Sequence, residues 1–259
     1  MEEKKKVILT GIVFILVIAA VIIVYYLVTH RQTEEPTEVA DIVEEKPLEK
    51  AEKEKIEPEQ VEPIDITIEE SDGVLREFLK DITSDPRFTK WMGTDHLIKN
   101  FVAAVDNIAH GLSPRKQIGF FEPEGEFLVE KKEGRYLIDK DTYKRYDPVA
   151  NVFSSIDTGK CVQVYRRFKP LIQEAYEELG YPDVDFDKTL ERAIKELLAV
   201  PLVEEDIVLI SKVKSFELRD PELESLSQAQ KHLLRMGPEN IRKIQSKLRE
   251  LLTGFKNKP

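Results

Sequence analysis

The chain has 259 residues and a formal net charge of −10, but the charge is unevenly spread: residues 1–33 carry 4 basic and 2 acidic side chains, residues 34–70 carry 4 and 15, and residues 71–259 carry 31 and 32. The acidity therefore sits before residue 71, and the near-neutral remainder lacks the basic field that nucleic-acid binding requires, which excludes that partner class. A single cysteine, Cys161, excludes an intrachain disulfide.

The first predicted element is a membrane anchor. Val7 to Val28 reads VILTGIVFILVIAAVIIVYYLV, 22 residues without a charge. As a helix this run extends about 33 Å, against a hydrocarbon core of about 30 Å. Lys4, Lys5 and Lys6 precede it, and Tyr25 and Tyr26 suit the far interface. The positive end is expected to stay inside, with residues 1–6 as a cytoplasmic tail and everything after the span outside the cytoplasm. A cleaved signal peptide would have a shorter apolar region ending in a small-x-small site.

Residues 29–70 read as an acidic stalk. Pro36, Pro47, Pro58 and Pro63 interrupt any helix in a Glu- and Lys-rich run, and Glu34 to Glu70 holds no aromatic side chain. So little apolar surface cannot offset the entropy of ordering the chain, so disorder is the expectation.

From residue 71 to 259 the pattern is mainly α with minor β hairpins. Ser71 and Asp72 are expected to cap a helix carrying Val74, Leu75, Phe78, Leu79 and Ile82. Asp85-Pro86 starts a short helix, and Thr94 is expected to cap the next, which Gly111 stops. Leu112 to Gly125 forms a loop holding Phe120 and Phe121, and Glu133-Gly134 centres a hairpin. A helical stripe from Tyr143 to Ile156 contains Pro148 as a first-turn residue or a kink. Asp157 caps a long helix through Leu179, bent at Pro170 and ended by Gly180. Asp185 or Asp187 caps a helix to Leu198, and Ile207 to Leu218 supplies a second hairpin or edge pair. Ser227 caps a helix to Met236, and Gly237-Pro238 leads into the last amphipathic helix, Glu239 to Leu252.

Assembled in order, FVAAVDN (Phe101 to Asn107), RYDPV (Arg145 to Val149), YRRFKPLIQEAYEELGYP (Tyr165 to Pro182), LLAVP (Leu197 to Pro201) and LSQAQKHLLRMGPEN (Leu226 to Asn240) resemble the bacterial family called domain of unknown function 3014. The resemblance covers nearly all of Ser71 to Leu252 and the anchor and stalk arrangement. It implies an envelope-facing domain behind one membrane span, and it transfers no catalytic role to any position.

The candidate chemistry is sparse. Asp183, Asp185 and Asp187 alternate like the opening of a calcium loop, but Lys188 stands where Gly is required and Ile194 where a bidentate Glu belongs, so helix capping accounts for them better. Of the histidines His30, His96, His110 and His232, only His110 has an obvious partner, Asp106 one helical turn away. Arg166, Arg167 and Lys169, aided by Tyr165 and Tyr176, could clamp an oxyanion, or the arginines could pair with acids such as Asp147 or Glu174. Tyr146 and Arg235 complete the binding candidates, if they share a concave surface with Arg166 and Tyr176. No Gly-rich phosphate loop, G-x-S-x-G elbow or H-E-x-x-H helix occurs, and no metal or cofactor is expected. The expected role is a membrane-tethered interaction or scaffold module of the cell envelope, with the bilayer engaged through Val7 to Val28 and an envelope protein or cell-wall component as partner. The competing expectation is an envelope hydrolase using a carboxylate pair or Asp106 with His110.

Overall fold

The structure, a computed structural model, describes residues 66–119 and 123–256. The expected anchor, the stalk up to residue 65, and Phe120 and Phe121 lie outside the described residues. Among those described, no helix is long and apolar enough to cross a membrane.

Three helices open the domain: α1 (Ser71–Leu79), α2 (Pro86–Trp91) and α3 (Leu97–Ala109). The first turn of a helix leaves amide donors without acceptors, and where a side chain supplies one it is not always the expected residue. Asp85 accepts from the Arg87 amide at 3.0 Å and Pro86 fills the first position of α2, both as the sequence indicates. For α3 the expected cap, Thr94, is wrong. His96 occupies the flanking position with a φ of 59°, and the accepting carboxylate is that of Asp72 on α1, which takes the amides of His96 at 2.7 Å and Leu97 at 2.9 Å. Arg76, one turn further along α1, donates to the Met92 and Thr94 carbonyls at 2.7 and 2.8 Å. One face of α1 thus fixes the α2–α3 connection. Asp72 serves α3 and does not cap α1, whose flanking Glu70 makes no side-chain cap bond. Ile68, placed by composition in the stalk, is 6% exposed and packs in the main core.

Strands β1 (Val129–Lys132) and β2 (Arg135–Ile138) form the predicted hairpin. Glu133 and Gly134 both have positive φ, 51° and 76°, as a two-residue turn matched to strand twist requires. After α4 (Asp141–Lys144) comes α5 (Asp147–Ser155), with Pro148 in its first turn and no kink needed. The central helices follow: α6 (Thr158–Glu178), capped by Asp157 onto the Lys160 amide and containing Pro170, and α7 (Phe186–Leu198), capped by Asp185. The second hairpin, β3 (Val208–Ser211) and β4 (Phe216–Leu218), joins the first. The four strands make one antiparallel sheet in the order β1-β2-β3-β4, with Tyr136 opposite Leu209 and Leu209 opposite Leu218. A short α8 (Pro221–Glu224), absent from the sequence expectation, covers β4. Helix α9 (Gln228–Leu234) begins with a full capping box between Ser227 and Gln230, and α10 (Pro238–Lys256) runs a turn beyond its expected end.

Helix α3 packs on α6 and α7, while α10 packs on α5, α6 and α7. Between them lie Val102, Phe168, Tyr176, Phe186, Leu234 and Ile241, each 2% exposed or less. Polar groups within this core are tied to backbone. The Gln245 amide of α10 donates to the carbonyls of Leu197, Leu198 and Val200 at 3.2, 3.3 and 2.9 Å. These carbonyls lie at and just past the end of α7, so Gln245 ties off that end from a neighbouring helix.

Candidate functional site

A cavity of about 790 Å³ opens where the sheet, the start of α5 and the α9–α10 junction meet. Its apolar floor follows from strand register. Ile138, Leu209, Phe216 and Leu218 point to one face of the sheet because each is an even number of residues from a paired position on that face. Arg145, Tyr146 and Val149 line it from the start of α5, while His232, Arg235 and Met236 line it from the junction. His232, Arg235 and Met236 are three and four residues apart, so α9 and its extension present them together. Pro114, Arg115, Lys116, Ile118, Phe127 and Glu126 come from the connecting segment between α3 and β1.

The charges on this wall are lopsided. Arg115, Lys116, Arg145 and Arg235 face a single acid, Glu126, among the described lining residues. Arg145 reaches the Pro123 carbonyl at 3.5 Å and its guanidinium carbon stands 5.4 Å from the centre of the Tyr146 ring. Its Nε is buried and has no hydrogen-bond partner. A buried guanidinium donor without an acceptor is costly. The Arg235 charge acts on His232 in the wall and on Glu224, which is not among the lining residues.

His232 is half-buried in this cationic wall. Burial first, then the neighbouring charges of Arg235 and Arg115, hold its pKa below the ordinary imidazole value. The folded state therefore takes up a proton less readily than the unfolded chain. The stability this confers is full above the ordinary histidine pKa and declines as pH falls below it, toward the depressed folded value. We expect the urea midpoint to drop more between pH 7.5 and pH 5 in the wild-type chain than in His232→Gln; equal drops would assign the acid sensitivity elsewhere.

The structure brings two of the sequence candidates, Tyr146 and Arg235, to one concave surface and places the others apart from it. Tyr176 is 1% exposed, its hydroxyl 2.9 Å from that of Thr189 and its ring stacked on Tyr181 at 4.7 Å. It is a core residue. Arg166 donates to the Gly254 carbonyl of α10 at 3.3 Å, and Arg167 lies over the Phe78 ring at 4.6 Å. Asp147, the suggested arginine partner, instead accepts from Asn240 at 3.0 Å. Asp187 takes both the Tyr165 hydroxyl and the Lys169 ammonium, while Asp185 caps α7, so these aspartates have structural employment. Among the described residues no group of three or more His, Cys, Asp or Glu side chains could hold a metal.

Asp106 and His110 do stand together, with Oδ1 and Nδ1 3.3 Å apart, and Nδ1 is also 2.9 Å from the Asp106 carbonyl oxygen. The ring is exposed at the end of α3, stacked loosely on Tyr181, and is not among the cavity's lining residues. Cys161 is half-buried, and desolvation pushes its thiol up to about 11, so it is poorly suited to nucleophilic work at neutral pH.

The sequence reading missed Arg115, Lys116, Arg145, His232 and the whole apolar floor. A signal was present: Arg145, Tyr146 and Val149 belong to the RYDPV block, and His232, Arg235 and Met236 to the LSQAQKHLLRMGPEN block, which meet here.

A family model described as protein of unknown function (DUF3014) matches residues 97–252. The chain belongs to that family. No curated protein and no solved structure matches it. Every cavity-lining residue, from Pro114 to Met236, falls inside the DUF3014 match, whereas α1 and α2 precede it.

Proposed function

We propose that this chain is a membrane-tethered binding module whose domain works outside the cytoplasm, held by Val7 to Val28 and spaced from the bilayer by the acidic segment that follows. The observation that carries the binding half is the cavity: concave, floored by apolar side chains and walled by convergent cations, within the usual range of roughly 300–1,000 Å³ for small-molecule sites. Support for the tether is the charge-free run behind three lysines. A hydrolytic role finds little to recommend it, because the described lining residues include one carboxylate where a pair is needed.

Two measurements test this reading. A reporter active only outside the cytoplasm, fused after Pro259, is expected to be active; a silent but well-expressed fusion would reverse the topology. Mild crosslinking of the full chain in its native membrane, followed by recovery and mass analysis of both proteins and small molecules, is expected to return a reproducible envelope component. Repeated recovery of the chain alone would count against a binding role.

A further inference from the structure

We infer that the cavity takes an amphipathic oxyanion, a carboxylate or phosphate head joined to an apolar body, with Arg145 and Arg235 holding the head and the Phe216 and Leu218 side of the sheet receiving the body. This rests on the cavity being a binding site and specifies what it binds.

Two kinds of side chain meet in one space. Among the described lining residues Lys116, Arg145 and Arg235, beside the already partnered Arg115, face one acid, Glu126, although residues 71–259 are almost balanced, with 31 basic and 32 acidic side chains. Like charges gathered around an apolar floor repel one another, and such a wall is stabilised by an anion. The buried Nε of Arg145 has no acceptor, and the charge of Arg235 reaches His232 in the same wall. Guanidinium groups present paired donors that match the two oxygens of a carboxylate or phosphate. The floor argues against a bare inorganic anion. Ile138, Leu209, Phe216 and Leu218 offer a small hydrated ion nothing, but they would shed water against an aromatic or aliphatic body. His232 adds a consequence, since an anion placed beside it would favour its protonated form.

The test uses the full chain in lipid nanodiscs, with empty nanodiscs as blank, titrated calorimetrically with five probes. These are biphenyl-4-carboxylate as a free acid, dihexanoyl phosphatidate below its micellar concentration as a lipid-derived phosphate, biphenyl-4-carboxamide as the neutral isostere, and acetate and inorganic phosphate as bare heads. Binding of the carboxylate or the phosphatidate at least tenfold tighter than the amide and the bare heads is expected, and which of the two is tighter identifies the source of the natural ligand. Arg145→Gln and Arg235→Gln are expected to weaken the acid tenfold or more and leave the amide unchanged, whereas Phe216→Ala weakens acid and amide alike. Arg235→Lys should keep part of the affinity that Arg235→Gln loses, which a merely misfolded variant would not show. Equal binding of acid and amide would overturn the oxyanion assignment while leaving the cavity as a binding site. Bare heads binding as well as the amphipaths would overturn the apolar half. No binding of any probe would overturn the site itself.

Discussion

Replacing Gly237 by alanine should destabilise the domain by about 2–5 kcal/mol. Gly237 sits between α9 and α10 with a φ of 81°, where a non-glycine residue costs on the order of 1–2 kcal/mol. A Cβ built there would lie 2.4 Å from Cγ and 2.6 Å from Cδ2 of Tyr143, so the aromatic ring must move, adding roughly 1–3 kcal/mol of overpacking. The fall in Tm should be on the order of 5–15 °C for a domain of this size. Gly134→Ala is the control. Its φ of 76° is similar, yet nothing lies within 4 Å of the added Cβ, so only the backbone part should be lost. Equal effects at the two positions in urea unfolding would show that the Tyr143 contact is yielding and unimportant.

The second large effect is expected at Asn240. Its side chain is 2% exposed, and its amide nitrogen donates to the Tyr143 carbonyl at 3.1 Å, the Asp147 carboxylate at 3.0 Å and the Met236 carbonyl at 3.0 Å. The three acceptors share two N–H groups, and together they join α4, α5 and the start of α10. Asn240→Asp replaces the donors with a carboxylate facing a carboxylate and two carbonyls. An uncompensated buried charge of this kind costs about 3–5 kcal/mol. The new acid can relieve the conflict only by taking up a proton, so its folded pKa must rise. The penalty should therefore be full at neutral pH and shrink as the solution is acidified toward the ordinary carboxylate range. Urea midpoints of wild type and variant should converge between pH 7 and pH 4. A gap that stays constant across that window would mean the carboxylate finds water and the network is less closed than it looks.

Both sites bear on the cavity. Arg145 and Tyr146 follow α4 directly, and Arg235 and Met236 immediately precede Gly237. The relative placement of the two guanidinium groups is therefore set by the Tyr143 ring, the Asn240 amide and one left-handed glycine, none of which lines the cavity. A loss of ligand binding in either variant, in protein that remains folded, would report changed geometry and not a lost contact.

What could be foreseen in the sequence divides along the range of the interaction. Asp85, Asp157, Asp185 and Ser227 cap helices through bonds to amides two or three residues ahead, so the segment alone specifies them. The Glu133-Gly134 turn is of the same kind. The Asp72 cap on α3 spans 24 and 25 residues, the Asn240 bonds span 93 and 97 to their distant partners, and the β2–β3 pairing brings Tyr136 to Leu209. No local pattern distinguishes these from alternatives. Tyr176 shows the limit from the other side. Its helical spacing marks an inward face correctly, but periodicity cannot say whether an inward tyrosine meets a ligand or, as here, the Thr189 hydroxyl. The cations fail for the same reason: Arg115, Arg145 and Arg235 are separated by dozens of residues of chain and come to line one cavity only once the sheet and the α9–α10 corner have formed.

The Asp72 bonds also cross the edge of the shared family pattern. The shared family pattern opens at Leu97, the residue whose amide that carboxylate holds. A fragment begun there would start at the first turn of α3 with its amides bare and with the groove that receives Ile68 and Leu75 uncovered. The stretch before the recognisable pattern thus behaves as a clasp, with Ile68 and Leu75 as its footholds in the core.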